Sequence, residues 1–245
     1  MYTHCLSSSG SQIGIFKKGQ YMGAKYELIF LTNKSNLVIL STIIAVINEH
    51  GWFYNVFDNG KYSYWKDEPI WRFGESVEVT EPVREEENNS SQCKSIIEKI
   101  SHYFSPLITA EKTIHERTVP AIISIYESQI DLSLKEAAVS FDYGIMFQQC
   151  TEIQEHEISK QIKNIFTATA KELQPVYAVA SLEMAGLVES PELLTVNEEM
   201  LGDFNYFSSG CKEYQRTNDY ITKYESSDYE DIGRFIFTAK IIGKQ

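Results

Sequence analysis

Between Ala138 and Leu182 the polarity pattern changes period twice, and no other stretch restricts the fold as much. Val139, Phe141, Tyr143, Ile145 and Phe147 alternate with Ser140, Asp142 and Gly144. A period of two reads as a strand with one buried face, from Ala138 to Phe147. From Glu157 to Leu173 the apolar positions Ile158, Ile162, Ile165, Phe166, Ala170 and Leu173 fall on one stripe of a 3.6-residue period, which predicts an amphipathic helix. Pro175 ends it, because proline has no amide hydrogen to donate and disfavours helical geometry in the residue before it. Val176 to Leu182 then resumes a strand-like run.

The same order of elements is predicted earlier in the chain. Tyr26 to Leu31 reads as a buried strand, and Thr32 to Asn36 supplies turn and N-cap chemistry. Leu37, Leu40, Ile44 and Ile47, widened by Val38, Ile43 and Val46, form a helical stripe that His50 and Gly51 close. Trp52 to Phe57 and Lys61 to Trp65 flank Asp58-Asn59-Gly60, a strong hairpin signal. The expected fold is therefore α+β. It has two strand-helix-strand units, ferredoxin-like or similar, lying side by side with helices packed on a mainly antiparallel sheet. On this reading residues 1–80 form the first unit with its aromatic hairpin, 81–91 an acidic linker or loop, and 92–245 the second unit, the whole being compatible with one continuous domain.

The remaining segments are less regular. Ser90 or Ser91 caps a helix carrying Ile96, Ile97, Ile100 and Phe104, which ends before Pro106. Ala121 to Tyr126 and Arg234 to Ile242 read as strands, Pro191 to Leu201 as a short helix, and Gly202 to Gly210 as an ordered loop.

Composition narrows the functional classes. With 43% hydrophobic and 13% aromatic residues the chain can bury a real core, so global disorder is not expected. Cys5, Cys93, Cys150 and Cys211 lie far apart, which fits reduced thiols better than a disulfide framework or a zinc site. The start shows no secretory signal, and the longest apolar run, Leu37 to Ile47, is too short to span a bilayer. A cytoplasmic protein is expected. A net charge of -12 opposes binding to nucleic acid or anionic membrane and permits a basic protein partner. Acidity for solubility alone accounts for the same charge.

No phosphate-binding glycine motif, nucleophile elbow or zinc-binding motif occurs, and no metal or cofactor is expected. Cys150, His156 and Asp142 are the residues around which a small hydrolase or transferase site would form; the ordinary explanation of the surroundings is first-turn helix acids and a solvent-facing strand position, which the alternation itself predicts for Asp142. Aromatic residues concentrate from Trp52 to Phe73, more than a one-sided core can bury. Tyrosine, tryptophan and arginine are enriched where proteins bind partners. The expected partner-binding residues are Trp52, Tyr54, Trp65 and Trp71 from this region, Glu85, Glu86 and Glu87 from the acidic stretch, and Asp228, Tyr229 and Glu230 from the acidic, tyrosine-rich tail. They suit a non-enzymatic binder of inhibitor or immunity type. A homodimer through the aromatic hairpin is a third arrangement.

Overall fold

β1, Lys25–Thr32, is buried at every residue after the first. Leu28 and Phe30 join one apolar core, whereas Ile29 and Leu31 join another. A strand buried on both faces must lie inside a sheet with material on each side. In this computed structural model, which describes residues 24–54, 61–66, 78–82, 90–128, 133–182, 201–229 and 231–244, that is its position. β7 (Lys135–Asp142) and β8 (Tyr177–Leu182) flank it, both antiparallel.

The other described strands are β2 (Phe53–Tyr54), β3 (Lys61–Trp65), β4 (Glu78–Pro82), β5 (Phe104–Ile114), β6 (Arg117–Glu127), β9 (Phe204–Ser208), β10 (Glu225–Tyr229) and β11 (Gly233–Phe237). All belong to one antiparallel sheet, ordered β10-β11-β9-β8-β1-β7-β6-β5-β3-β4, with β2 also on β5. Helices α1 (Asn36–Glu49), α2 (Ser90–Ser101) and α4 (Glu152–Leu173) contribute their apolar faces to the larger core, together with one face of the sheet. On the opposite face Ile29, Val179, Phe207 and Ile236 form a smaller core, against which Tyr214, Tyr220 and Tyr224 pack.

The α+β class and the antiparallel sheet agree with expectation, but the two units do not lie side by side. β7 and β8 are parallel to each other with β1 between them, so a strand of the first unit completes the second. Nor, among the described residues, do the two expected hairpin arms pair with each other. β2 and β3 are both antiparallel to β5, opposite Glu111–Ala110 and Ile108–Phe104 respectively, and so run in the same direction along one edge. An eleven-residue neighbour offering a ladder to both segments outweighs a local turn signal whose product would be an isolated two-stranded ribbon. Gly202 to Gly210, read as a loop, contains β9. Phe104, assigned to a helix, begins β5 instead.

Helix boundaries follow from caps. Ser35 Oγ accepts from Val38 N at the start of α1, and Gly51 follows the helix with φ +86°. α4 starts five residues before the apolar stripe suggests, because Thr151 and Gln154 form a capping box. The strand expected to run to Phe147 stops at Asp142, whose carboxylate accepts from Ile145 N at 2.8 Å and caps a short helix, α3 (Tyr143–Phe147). Pro120 is tolerated within β6 because pairing to β7 begins only at Ala121, so its missing N–H falls beyond that ladder.

β5 and β6 are joined by two residues, His115 (φ 48°) and Glu116 (φ 65°). Positive φ at both central positions is the pattern of the primed hairpin turn, for which Asn-Gly is the preferred pair. The double change His115→Asn and Glu116→Gly is expected to stabilise the protein by about 1 kcal/mol by relieving this backbone cost. A rise of a few degrees in Tm would show it, whereas an unchanged or lower Tm would contradict it.

Buried tyrosines set an alkaline limit. Burial pushes the hydroxyls of Tyr26 and Tyr177 well above the ordinary value and that of Tyr206 up to about 12. In the unfolded chain these groups titrate near pH ~10 and therefore lose their protons first as pH rises. Stability should be flat in this respect below about pH 10 and fall above it. Urea midpoints at pH 8, 9, 10 and 11 test this; an unchanged midpoint at pH 11 would refute it.

Candidate functional site

Among the described residues the sheet ends at β4 on one side and at β10 on the other. Each of these terminal strands carries two carboxylates and no basic residue: Glu78 and Glu81 in β4, Glu225 and Asp228 in β10. β4 ends in Pro82, which cannot donate to a further ladder, whereas β10 contains no proline.

β10 exists because β11 folds it back. Asp231 takes a left-handed conformation, φ 65°, and Ile232 N donates to Tyr229 O at 3.3 Å. Gly233 then passes so close to β9 that a Cβ there would stand 2.3 Å from the Phe207 carbonyl oxygen. The two faces of β10 are held differently. On the side of the smaller core, Arg234 Nε donates to Asp228 Oδ1 at 2.6 Å and Nη2 to Oδ2 at 3.2 Å. Its Nη1 donates to Thr217 Oγ1 at 2.7 Å and Asn218 Oδ1 at 2.9 Å, tying the 3-10 helix Lys212–Tyr220 to the sheet. The guanidinium also lies 4.5 Å from the Tyr214 ring. The paired Asp228 carboxylate raises the pKa of Arg234, keeping the buried cation charged. On the α4 side, Lys163 Nζ donates to Glu225 Oε1 at 2.6 Å, and Lys171 Nζ stands 3.8 Å from the Tyr229 ring centre. The Lys171 ammonium donating to its hydroxyl holds Tyr229 below the usual tyrosine value.

The carboxylates are anchored but remain accessible: the side chains of Glu225 and Asp228 are 68% and 54% exposed, against 7% for Arg234. Tyr229 is exposed beside them. The strand thus presents two fixed, ion-paired carboxylates with exposed oxygens and an aromatic hydroxyl on an edge that, among the described residues, pairs only with β11.

The other expected binding residues are placed differently. Trp52 is fully buried, edge-on to Phe141 at 5.4 Å and 4.6 Å from Lys112 Nζ, so it is a core residue rather than a surface one. Tyr54 lies in β2 opposite Ala110. Trp65, partly buried, pairs with Glu78 and Phe104 on the opposite half of the sheet from β10. Trp71, Glu85, Glu86, Glu87 and Glu230 lie outside the described residues, as do the segment 191–200 and the Asp58-Asn59-Gly60 turn. Glu225, Lys163, Lys171 and Arg234, which build the edge, were not among the expected site residues. The available signal was the acidic spacing of Glu225 and Asp228 next to the apolar run Phe235-Ile236-Phe237.

No protein-family model matches the chain, and no curated protein is significantly similar to it. Among solved structures it is similar to the Pseudomonas aeruginosa T6SS protein PA0821, with 9% identity and a TM-score of 0.41 over 88% of this chain and 68% of that one.

The alternative catalytic trio is held by local structure. Asp142 caps α3, and the buried Cys150 Sγ donates to Met146 O at 3.4 Å. His156 is exposed on the first turns of α4. Glu155, buried one residue earlier, is paired with Lys244, and Ser159 Oγ accepts from Ile242 N at 3.0 Å, so the start of α4 anchors the end of the chain. Among the described residues no group of three His, Cys, Asp or Glu could hold a metal ion, and no helix is long and apolar enough to cross a membrane.

Proposed function

We propose that the protein is a non-enzymatic, cytoplasmic binding protein of the inhibitor or immunity type, masking a basic protein partner with an acidic surface that includes β10. The observation that carries this reading is that Glu225 and Asp228 are fixed by cations of their own fold yet left more than half exposed, with Tyr229 beside them. Pre-positioned charges lose little side-chain entropy on binding, so more of their attraction remains for the complex. The net charge of -12 extends the attraction beyond contact range and speeds encounter with a cationic surface. Acidic edges also discourage sheet-to-sheet association, and that protective role is the competing explanation.

The intact protein, immobilised and exposed to lysate at low and high salt, should retain one stoichiometric basic protein that is lost at high salt. Glu225→Lys should weaken its capture about tenfold, chiefly by slowing association. Absence of any stoichiometric partner at low salt would overturn the reading.

A further inference from the structure

We infer that β10 takes up its partner by strand addition, accepting an extended segment with two basic residues three positions apart; this rests on the binding reading above. Glu225 and Asp228 are separated by three positions, so their side chains leave opposite faces of the strand. An added strand places its residues directly opposite those of β10, at cross-strand distances where unlike charges attract and like charges repel. One cation is therefore needed opposite Glu225 on the α4 face and another opposite Asp228 on the other face. That requires the same three-residue separation in the incoming segment. Two basic residues at alternate positions would both emerge on one face and could answer only one carboxylate.

Three further observations shape this edge. Between the carboxylates stand Ser226 and Ser227, small side chains that leave the backbone of the edge approachable. The pairing of β10 with β11 runs without a register shift from Glu225 to Tyr229, so, among the described residues, the outer edge is a continuous template. At the far end Lys171 already covers Tyr229, while Glu225 and Asp228, each holding one internal cation, keep 68% and 54% of their side chains exposed and so open to a second. A second copy of this chain is the wrong occupant, because residues 225–229 contain no basic side chain and would bring acid against an already acidic molecule.

The test uses the intact protein with two eight-residue probe peptides of threonine and valine, one with lysines at its third and sixth positions, the other with lysines at its third and fifth. Hydrogen exchange read by mass spectrometry should slow in residues 225–229 with the first peptide. It should bind roughly threefold more tightly than the second, since opposed charge pairs have modest cross-strand energies. Glu225→Lys should remove the difference. Equal affinity for the two peptides, or unchanged exchange in β10, would overturn strand addition. A basic partner still captured at full strength by a Ser227→Pro variant that remains folded would overturn it while leaving the binding reading intact. Concentration-dependent dimerisation that protects β10 without peptide would also overturn it.

Discussion

Replacing Phe166 by alanine should destabilise the protein by about 3–5 kcal/mol. The ring is fully buried where α4 meets the sheet, with Phe30 of β1 at 5.6 Å, Phe204 of β9 at 6.1 Å and Phe235 of β11 at 6.3 Å between centroids. These partners come from three strands that follow the sheet from its centre towards β10, so one side chain joins the helix to half of the sheet. Truncation removes the transfer free energy of the ring and leaves a cavity that three rigid aromatic neighbours cannot collapse to fill. The urea midpoint should drop by about 1–2 M. Phe166→Leu, which keeps most of the volume, should lose far less. A loss below about 1 kcal/mol for the alanine variant would contradict the packing of α4 described above.

Arg234→Ala should cost about 3 kcal/mol, by a different route. Its guanidinium makes the bidentate contact with Asp228, the bonds to Thr217 and Asn218, and the contact with the Tyr214 ring. Asp228 is half exposed and can be rehydrated, and Thr217 Oγ1 keeps its bond to Tyr214 O at 2.7 Å, so neither partner becomes a stranded buried polar group. The loss therefore comes from the charged hydrogen bonds and the packed stem. It should be local in its first effect: amide exchange should quicken in residues 212–229 while α4 stays protected. Lysine cannot reproduce the planar fork and should recover less than half of the lost stability. Uniform exchange acceleration through α4 would show that Arg234 supports the whole fold rather than this edge.

The sequence was most legible where periodicity ran long. α1, α4, β1 and β8 appear close to where their apolar spacing places them, because stripes of that length have one way to be buried. It was least legible where local and non-local demands conflict. Tyr143 to Phe147 fits a period of two, but Tyr143, Met146 and Phe147 also fit one turn of helix, and the Asp142 cap decides between them. β10 carries almost no strand preference of its own in Glu-Ser-Ser-Asp-Tyr. Pairing with Phe235-Ile236-Phe237, a run that did read as a strand, imposes its extended form. Trp52 misled for a related reason. Composition cannot distinguish a surface aromatic from one buried under a lysine stem, and here Lys112 reaches over the ring to bond His50 O at 2.6 Å and Gln161 Oε1 at 2.8 Å.

The central position of β1 carries a consequence for biosynthesis. On the ribosome β1 emerges before either of its neighbours. Thr32 waits for Lys135, 103 residues further on, and Leu31 for Tyr177. At a translation rate of about 5–20 residues per second, the apolar residues of β1 stay unpaired for roughly 5–20 s before β7 appears. The β5–β6–β7 meander, whose pairings are local, can assemble as it emerges and offer β1 a finished edge. β11, made after every other described strand, brings β10 with it, so the acidic edge forms only once those strands are in place to hold it.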